Sequence, residues 1–271
     1  MTTQILNTLT ASDSQAGGDR ALMLLHGLFG SADNWSSRSR VYAAYTSVIA
    51  ADLRNHGDSP HSDDMSYGQM ADDVIATLDQ MAIAQCDLLG HSMGGKVAME
   101  LALRYPERVN KLIIVDIAPK AYPPHHEELI KVMLSLPLDS LKRRSDADAA
   151  LARVEPSADV RAFLIKSLMR VQSGEGSESY RWRFHLDSIA DNYADIADAI
   201  KAEGEYAGPA LFIKGSLSDY LGIDDREQIL RHFPKATLKV IDQSGHWPHA
   251  EKPQVFDHIV SDFLGFDVKP A

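Results

Sequence analysis

The sequence predicts an α/β protein: a mostly parallel central sheet with helices on both faces, interrupted by a helical insertion that caps it. Three observations carry this. Short apolar runs alternate with helix-spaced segments, as in "ALMLLH" (residues 21–26), "CDLLGHS" and "KLIIVDIAP". That alternation builds parallel strands joined by crossover helices. The runs are apolar throughout rather than at every second residue, which suits strands covered on both faces. The pattern stops near residue 120 and resumes near 209, with only helix-like stretches between.

In chain order, "ALMLLH" predicts a strand that ends in the turn "GLFG", and "TSVIAADLRNHGDS" a second that reaches Asp52 and breaks into a polar turn. "MADDVIATLDQMAI" places Met70, Val74, Leu78 and Met81 at helical spacing, with acids between them. "CDLLGHS" and "KLIIVDIAP" give two further strands around the helix-like "GGKVAMELALRYPERV". Residues 120–208 hold "HHEELIKVMLSL", "DADAALARV", "SADVRAFLIKSLMRV" and "SIADNYADIADAIK", all read as helical, with "SGEGSES" as turn material. Strands return with "ALFIKGS" (210–216) and "TLKVID" (237–242), around the helix-like "DDREQILRHF", and "KPQVFDHIVSDFLGF" closes the chain as a helix. The expected division is therefore a core of residues 1–119 and 209–271 with a helical cap at 120–208.

Acidic residues outnumber basic ones 38 to 27 in 271 residues, for a net charge of −11. Nucleic acid is not the expected partner, because phosphate binding needs a basic surface. The single cysteine, Cys86, excludes an intrachain disulfide and a cysteine-based zinc site. No run of 18 apolar residues occurs, so no membrane insertion is expected, and the opening "MTTQILNTLTASDSQ" has no signal-peptide pattern. A cytoplasmic protein, monomer or homodimer, with no metal or organic cofactor, is the expectation.

The most informative stretch is "LLGHSMGGKVAM", Leu88 to Met99. A glycine inside a helix costs roughly 1 kcal/mol relative to alanine, yet Gly94 and Gly95 stand where a helix begins. A strand that turns straight into a helix with a reactive side chain at the tip needs nearly bare neighbours two residues before and two after. Gly90-His91-Ser92-Met93-Gly94 meets that need, the nucleophile elbow. At the tip Ser92 lies close to a helix N-terminus, which stabilises developing negative charge.

A serine hydroxyl needs a base, most often histidine. His246, in "DQSGHWPHAEKP", follows the last strand and falls on the same carboxyl edge of the sheet as Ser92. His249 is the alternative, His26 is read as shaping the turn after its strand, and His91 lies inside the elbow with its ring directed away from the tip. An oxyanion hole needs two N–H donors, each worth roughly 3–4 kcal/mol. Met93 supplies one by position, and Leu28 in "HGLFG" the other, with Gly27 and Gly30 allowing close backbone approach.

Together, "LLHGLFGSADNW", "DLRNHGDS", "GHSMGGKVAM", "VDIAP" and "GHWPHAEKP" resemble the α/β-hydrolase superfamily, most closely the YbfF-type bacterial esterase and acyl-CoA thioesterase family. The resemblance implies an α/β-hydrolase fold, cleavage of carboxylic esters and acyl-CoA thioesters, Ser92 as nucleophile and His246 as base. It leaves two acids open. Most α/β-hydrolases carry theirs after the penultimate strand, where Ser218 stands in step and Asp219 one place out of step. The YbfF-type pattern implies Asp116 in "IIVDIAP" instead, with the serine at 218 close to the triad.

The insertion is expected to lie over the sheet edge and shape the acyl pocket as a cap, and "SYRWRFHL" offers Trp182, Arg183 and Phe184 as a crevice wall, or alternatively as an amphipathic segment packed on the core. Three functions stay open on sequence: an esterase or thioesterase for short to medium acyl chains, a carbon–carbon hydrolase or perhydrolase of the same fold, and a non-catalytic binder that kept it.

Overall fold

The computed structural model describes residues 2–13, 21–172 and 178–266. Most of the "SGEGSES" turn lies outside them. The chain opens with strand β1 (Thr8–Ala11), β2 (Ala21–Leu25), helix α1 (Ser36–Tyr42), β3 (Ser47–Ala51) and α2 (Tyr67–Gln80). Then come β4 (Cys86–His91), α3 (Met93–Arg104) and β5 (Val109–Val115). An insertion follows: α4 (Glu127–Ser135), α5 (Arg144–Leu151), α6 (Ala158–Lys166), β6 (Leu168–Gln172), β7 (Glu178–Trp182), α7 (Leu186–Asp191) and α8 (Tyr193–Ala197). The core resumes with β8 (Ala210–Gly215), α9 (Arg226–His232), β9 (Ala236–Ile241), α10 (Pro248–Glu251) and α11 (Pro253–Leu264).

Seven strands form one sheet in the order β1-β3-β2-β4-β5-β8-β9, parallel except for β1, which pairs antiparallel with β3. The apolar strands divide their side chains between two cores. Met23, Leu25, Leu88, Leu112 and Ile114 face α2 and α3, whose Val74, Leu78, Val97 and Leu101 are fully buried. Leu22, Leu24, Leu89, Ile113 and Val115 face Trp35, Tyr42, Phe256 and Val260 on the opposite side. Burial on both faces is why these runs read as continuous rather than alternating.

Two elements depart from the sequence expectation. β1, "TLTA", is too short and too polar to stand out, and it exists by pairing along the β3 edge. The insertion is not purely helical: "SLMRV", expected to continue α6, turns at Ser167 into β6, which pairs antiparallel with β7 (Leu168 opposite Trp182, Arg170 opposite Tyr180). Short apolar runs are ambiguous between helix and strand. Here a distant partner of high β-propensity, "ESYRW", decides it.

The register brings the site together. Leu25 pairs with Gly90, His91 with Val115, Val115 with Ile213, and Gly215 with Ile241. The carboxyl ends of five adjacent strands therefore lie side by side, and the loops that leave them share one edge, where ligands bind in open parallel sheets.

Candidate active site

Ser92 sits at the bend between β4 and α3 with φ 52° and ψ −119°, a conformation that L-residues avoid. Its N–H donates to the Val115 carbonyl at 3.0 Å. The flanking glycines are there for space. A Cβ on Gly90 would fall 2.2 Å from the Gly94 carbonyl oxygen, and one on Gly94 2.5 Å from the His26 carbonyl oxygen. The helix start is packed directly onto the β2 loop.

His246 lies between Ser92 and a carboxylate. Its Nε2 is 3.0 Å from Ser92 Oγ, and its Nδ1 is 2.7 Å from Asp116 Oδ2. Asp116 follows β5, fully buried and with φ 54°. Its backbone N–H continues the ladder to the Ile213 carbonyl at 2.8 Å. Oδ1 accepts from the Gly215 N–H at 3.1 Å, and Oδ2 also accepts from the Ser218 hydroxyl. A buried carboxylate needs such partners. Asp219 is exposed at the same loop, away from this cluster. The structure thus pairs His246 with Asp116, not with Asp219, and places Ser218 as a donor to that carboxylate.

The other histidines hold the site in place. His91 Nε2–H donates to the His246 carbonyl at 2.8 Å, and burial, with His249 and His246 nearby, pushes its pKa well below the usual range. His249 is buried with its ring 4.6 Å from Trp35, and burial lowers its pKa to about 3. His26 Nδ1–H donates to the Gly27 carbonyl at 2.8 Å while its Nε2 accepts from the Leu53 N–H at 3.0 Å. His56 Nδ1–H donates to the Arg54 carbonyl at 2.9 Å, and its Nε2 accepts from the Phe29 N–H at 3.2 Å. Both pairings require neutral rings, and burial agrees, lowering His26 to about 4 and His56 to about 3.

That bracing fixes the loop of Leu28 against the elbow: a Cβ on the neighbouring Gly27 would lie 3.3 Å from the Ser92 Cβ. Leu28, Ser92 and Met93 share the lining of a cavity of about 60 Å³. Met93 opens α3, and a first-turn N–H has no carbonyl in its own helix to bond to. The far side of this cavity holds Tyr67, Tyr122 and Lys96. Lys96, unremarked by sequence reasoning because it sits in an apolar helix, donates to the carbonyls of Ala197 and Asp198 at the end of α8, 4.8 Å from the Tyr122 ring centre. Burial lowers its pKa to about 8.

A larger cavity of about 940 Å³ shares Leu28, Ser92, His126 and Tyr220 with the first and runs along His246, Trp247, Trp35 and the insertion's Val160 and Phe163. Glu155, Asp159 and Glu251 line it with Lys166; Arg38 and Asp33 also line it, paired with Asp257 and Arg183 respectively. Trp182, Arg183 and Phe184 do not border either cavity, so of the two expected places, crevice wall and packing on the core, they take the second. They form the seam between insertion and core. Trp182 and Phe184 stack at 5.3 Å, Phe184 meets Phe29 at 5.1 Å, and Arg183 pairs with Asp33 and, at 2.9 Å, with Asp58. An alternating strand end buries its aromatics and leaves the arginine at the rim.

Among the described residues no three His, Cys, Asp or Glu side chains cluster as a metal would require, and no helix is long and apolar enough to cross a membrane.

A strained serine on a strand–helix bend, in line with an imidazole and a buried carboxylate at the carboxyl edge of a parallel sheet, is the arrangement of the α/β hydrolases. The family model for the alpha/beta hydrolase fold matches residues 20–253, and the chain belongs to that family, in its YbfF type. It is 38% identical over 252 residues to the sn-1-specific diacylglycerol lipase ABHD11 of Mus musculus, covering 90% of this chain and 80% of that one. It is 34% identical over 260 residues to the esterase YbfF of Escherichia coli (strain K12), covering 96% and 98%. A solved structure of a marine microorganism esterase superposes with a TM-score of 0.90 at 36% identity, covering 97% of this chain and all of that one.

Proposed function

We propose that the protein is a serine hydrolase that cleaves carboxylic esters of short to medium acyl chains through an acyl-enzyme. The reading rests above all on the unbroken line Ser92 Oγ, His246 Nε2, His246 Nδ1, Asp116 Oδ2, with contacts of 3.0 and 2.7 Å. His246 takes the Ser92 proton as Oγ attacks the acyl carbonyl. The Leu28 and Met93 amides hold the oxyanion, and Asp116 keeps the imidazole in its Nδ1–H tautomer and stabilises the imidazolium without taking its proton. His246 then protonates the leaving oxygen. A water deprotonated by His246 releases the acid, and the serine is restored.

The same chemistry sorts the two cavities. The leaving group must stay beside His246, which lines the larger cavity, so the acyl chain takes the smaller one behind Leu28 and Met93. Residues 120–208 serve as the cap and border both cavities, the smaller through Tyr122 and Tyr193, the larger through Val160 and Phe163. An acyl-CoA thioester would be opened by the same attack, but Glu155, Asp159 and Glu251 against Lys166 make that wall unfavourable to coenzyme A phosphates. Uncharged alcohols suit it better, in keeping with relatives named as an esterase and a diacylglycerol lipase.

The test is hydrolysis of p-nitrophenyl esters from acetyl to palmitoyl, beside acetyl-CoA and palmitoyl-CoA, with Ser92→Ala as control. Turnover of the aryl esters that vanishes in Ser92→Ala, with CoA esters slower at equal acyl length, is the expected result. No turnover of any ester by the wild-type chain would sink the reading.

A further inference from the structure

The hydrogen bonds of His246 leave one motion open. Contacts at Nδ1 and Nε2 define an axis through the ring, and the imidazole can still roll about it. A neighbouring ring opposes that roll. Tyr220 lies face to face with His246, ring centres 4.0 Å apart and planes 25° from parallel. Such an offset stack is favourable between neutral rings, and a cation over a tyrosine face gains more.

The loop that carries Tyr220 is anchored at the same carboxylate that orients the histidine. Ser218 donates its hydroxyl to Asp116 Oδ2, and the Tyr220 N–H donates to Ser218 Oγ at 3.3 Å. From the insertion side, the Tyr122 hydroxyl donates to the Tyr220 carbonyl while accepting from the Ala118 N–H at 2.8 Å. Loop 216–222 therefore has little freedom to withdraw the ring.

We propose that Tyr220 is a positioning residue for His246: its ring face fixes the roll of the imidazole and stabilises the imidazolium formed as Ser92 attacks. The proposal rests on the ester-hydrolase reading above. Other groups around the imidazole are less well placed: the Trp247 ring is tilted by 58° with its centre 5.9 Å away. Asp116 meets it edge-on through Nδ1. His91 is tilted at 48°, its ring centre 4.8 Å away, and is buried and neutral. His249 and His126 are likewise held neutral, at about 3 and about 4, chiefly by burial. Neutral imidazoles do not offset the charge of an imidazolium. The phenol also stays neutral, its pKa raised by burial and by Asp116.

Tyr220 also borders both cavities, so the test must separate positioning from substrate contact. Steady-state kinetics on p-nitrophenyl acetate, butyrate and octanoate would compare wild type, Tyr220→Phe and Tyr220→Leu, with thermal melts as a folding control. Wild-type turnover abolished by Ser92→Ala secures the underlying reading independently of position 220. The Phe variant should keep kcat within about twofold, since the ring face remains. The Leu variant should lose about 10- to 30-fold in kcat, by the same factor on all three esters, with KM little changed. A Leu variant with wild-type kcat, a loss that varies with chain length or falls on KM alone, or a Phe variant as impaired as Leu would overturn the proposal. If the Leu variant does not fold, pentafluorophenylalanine at 220 decides, because it keeps the shape and inverts the charge of the face: kcat below that of the Phe variant supports the proposal, and equality overturns it.

Discussion

Gly94 and the carbonyl of His26 stand so close that a methyl group on Gly94 would fall 2.5 Å from that oxygen and 2.7 Å from the Leu25 oxygen. Both obstacles are backbone, so neither can swing aside. Gly94→Ala should therefore push helix α3 off the β2 loop, at a cost of about 2 kcal/mol or more. It should also part the Leu28 and Met93 amides that the proposed mechanism uses together. A lower melting temperature together with a loss of ester turnover is the expected pair of results. A variant indistinguishable from wild type in both would show that the contact has no consequence.

Asp116 and Asp219 make opposite predictions. Asp116→Asn should lower kcat on the order of a thousandfold or more while leaving the chain folded, because the amide favours the wrong imidazole tautomer. Asp219→Asn, at an exposed position, should stay within about twofold. Reversal of that order would transfer the acid's role to Asp219.

Arg183 distinguishes a seam from a subsite. Paired with Asp33 and Asp58, it ties the insertion to the core. Arg183→Ala should change kcat/KM for neutral and anionic esters by the same factor and lower stability by about 1 kcal/mol or less, as befits a partly solvated pair. A selective loss against anionic leaving groups would return it to the crevice wall.

His26, His56 and His249 are among the buried histidines that set an acid limit on stability. In the unfolded chain each protonates near pH 6.5. In the fold, burial holds His26 at about 4 and His56 and His249 at about 3. Below pH 6.5 the unfolded state thus binds protons that the native state refuses, and stability falls with falling pH. The loss should reach about 3 kcal/mol per histidine by pH 4. Urea midpoints at pH 8, 7, 6 and 5 would show the decline, and His249→Phe, which keeps a ring against Trp35, should flatten it. Equal midpoints at pH 8 and pH 5 would contradict the account.

What could be read in advance followed from locality. The elbow declares itself in five residues because the bend, the helix start and the packing on β2 all act within them. The buried strands declare themselves because two cores demand apolar side chains on both faces. Asp116 is different. Its proximity to His246, 130 positions on, depends on β5 and β8 being in register, and only resemblance to a family pointed to it. The β6–β7 hairpin and β1 owe their form to partners elsewhere in the chain. Tyr220 in "SDYLG" gives no local sign at all, since a ring stack has no sequence period. For Trp182, Arg183 and Phe184 the sequence offered both a crevice wall and packing on the core, and only the tertiary contacts chose between them.

The last strand of the sheet carries a consequence for how the molecule comes into being. Among the described residues strand β9 lies at the edge of the sheet, paired only with β8, and it delivers His246 to the site. A chain emerging from the ribosome folds from its N-terminal side first. Ser92 is translated more than 150 positions before the histidine that would activate it. On the proposed mechanism, until that strand docks the nascent protein holds a nucleophile without its base, so ester turnover would report on the folded molecule and not on its earlier, shorter forms.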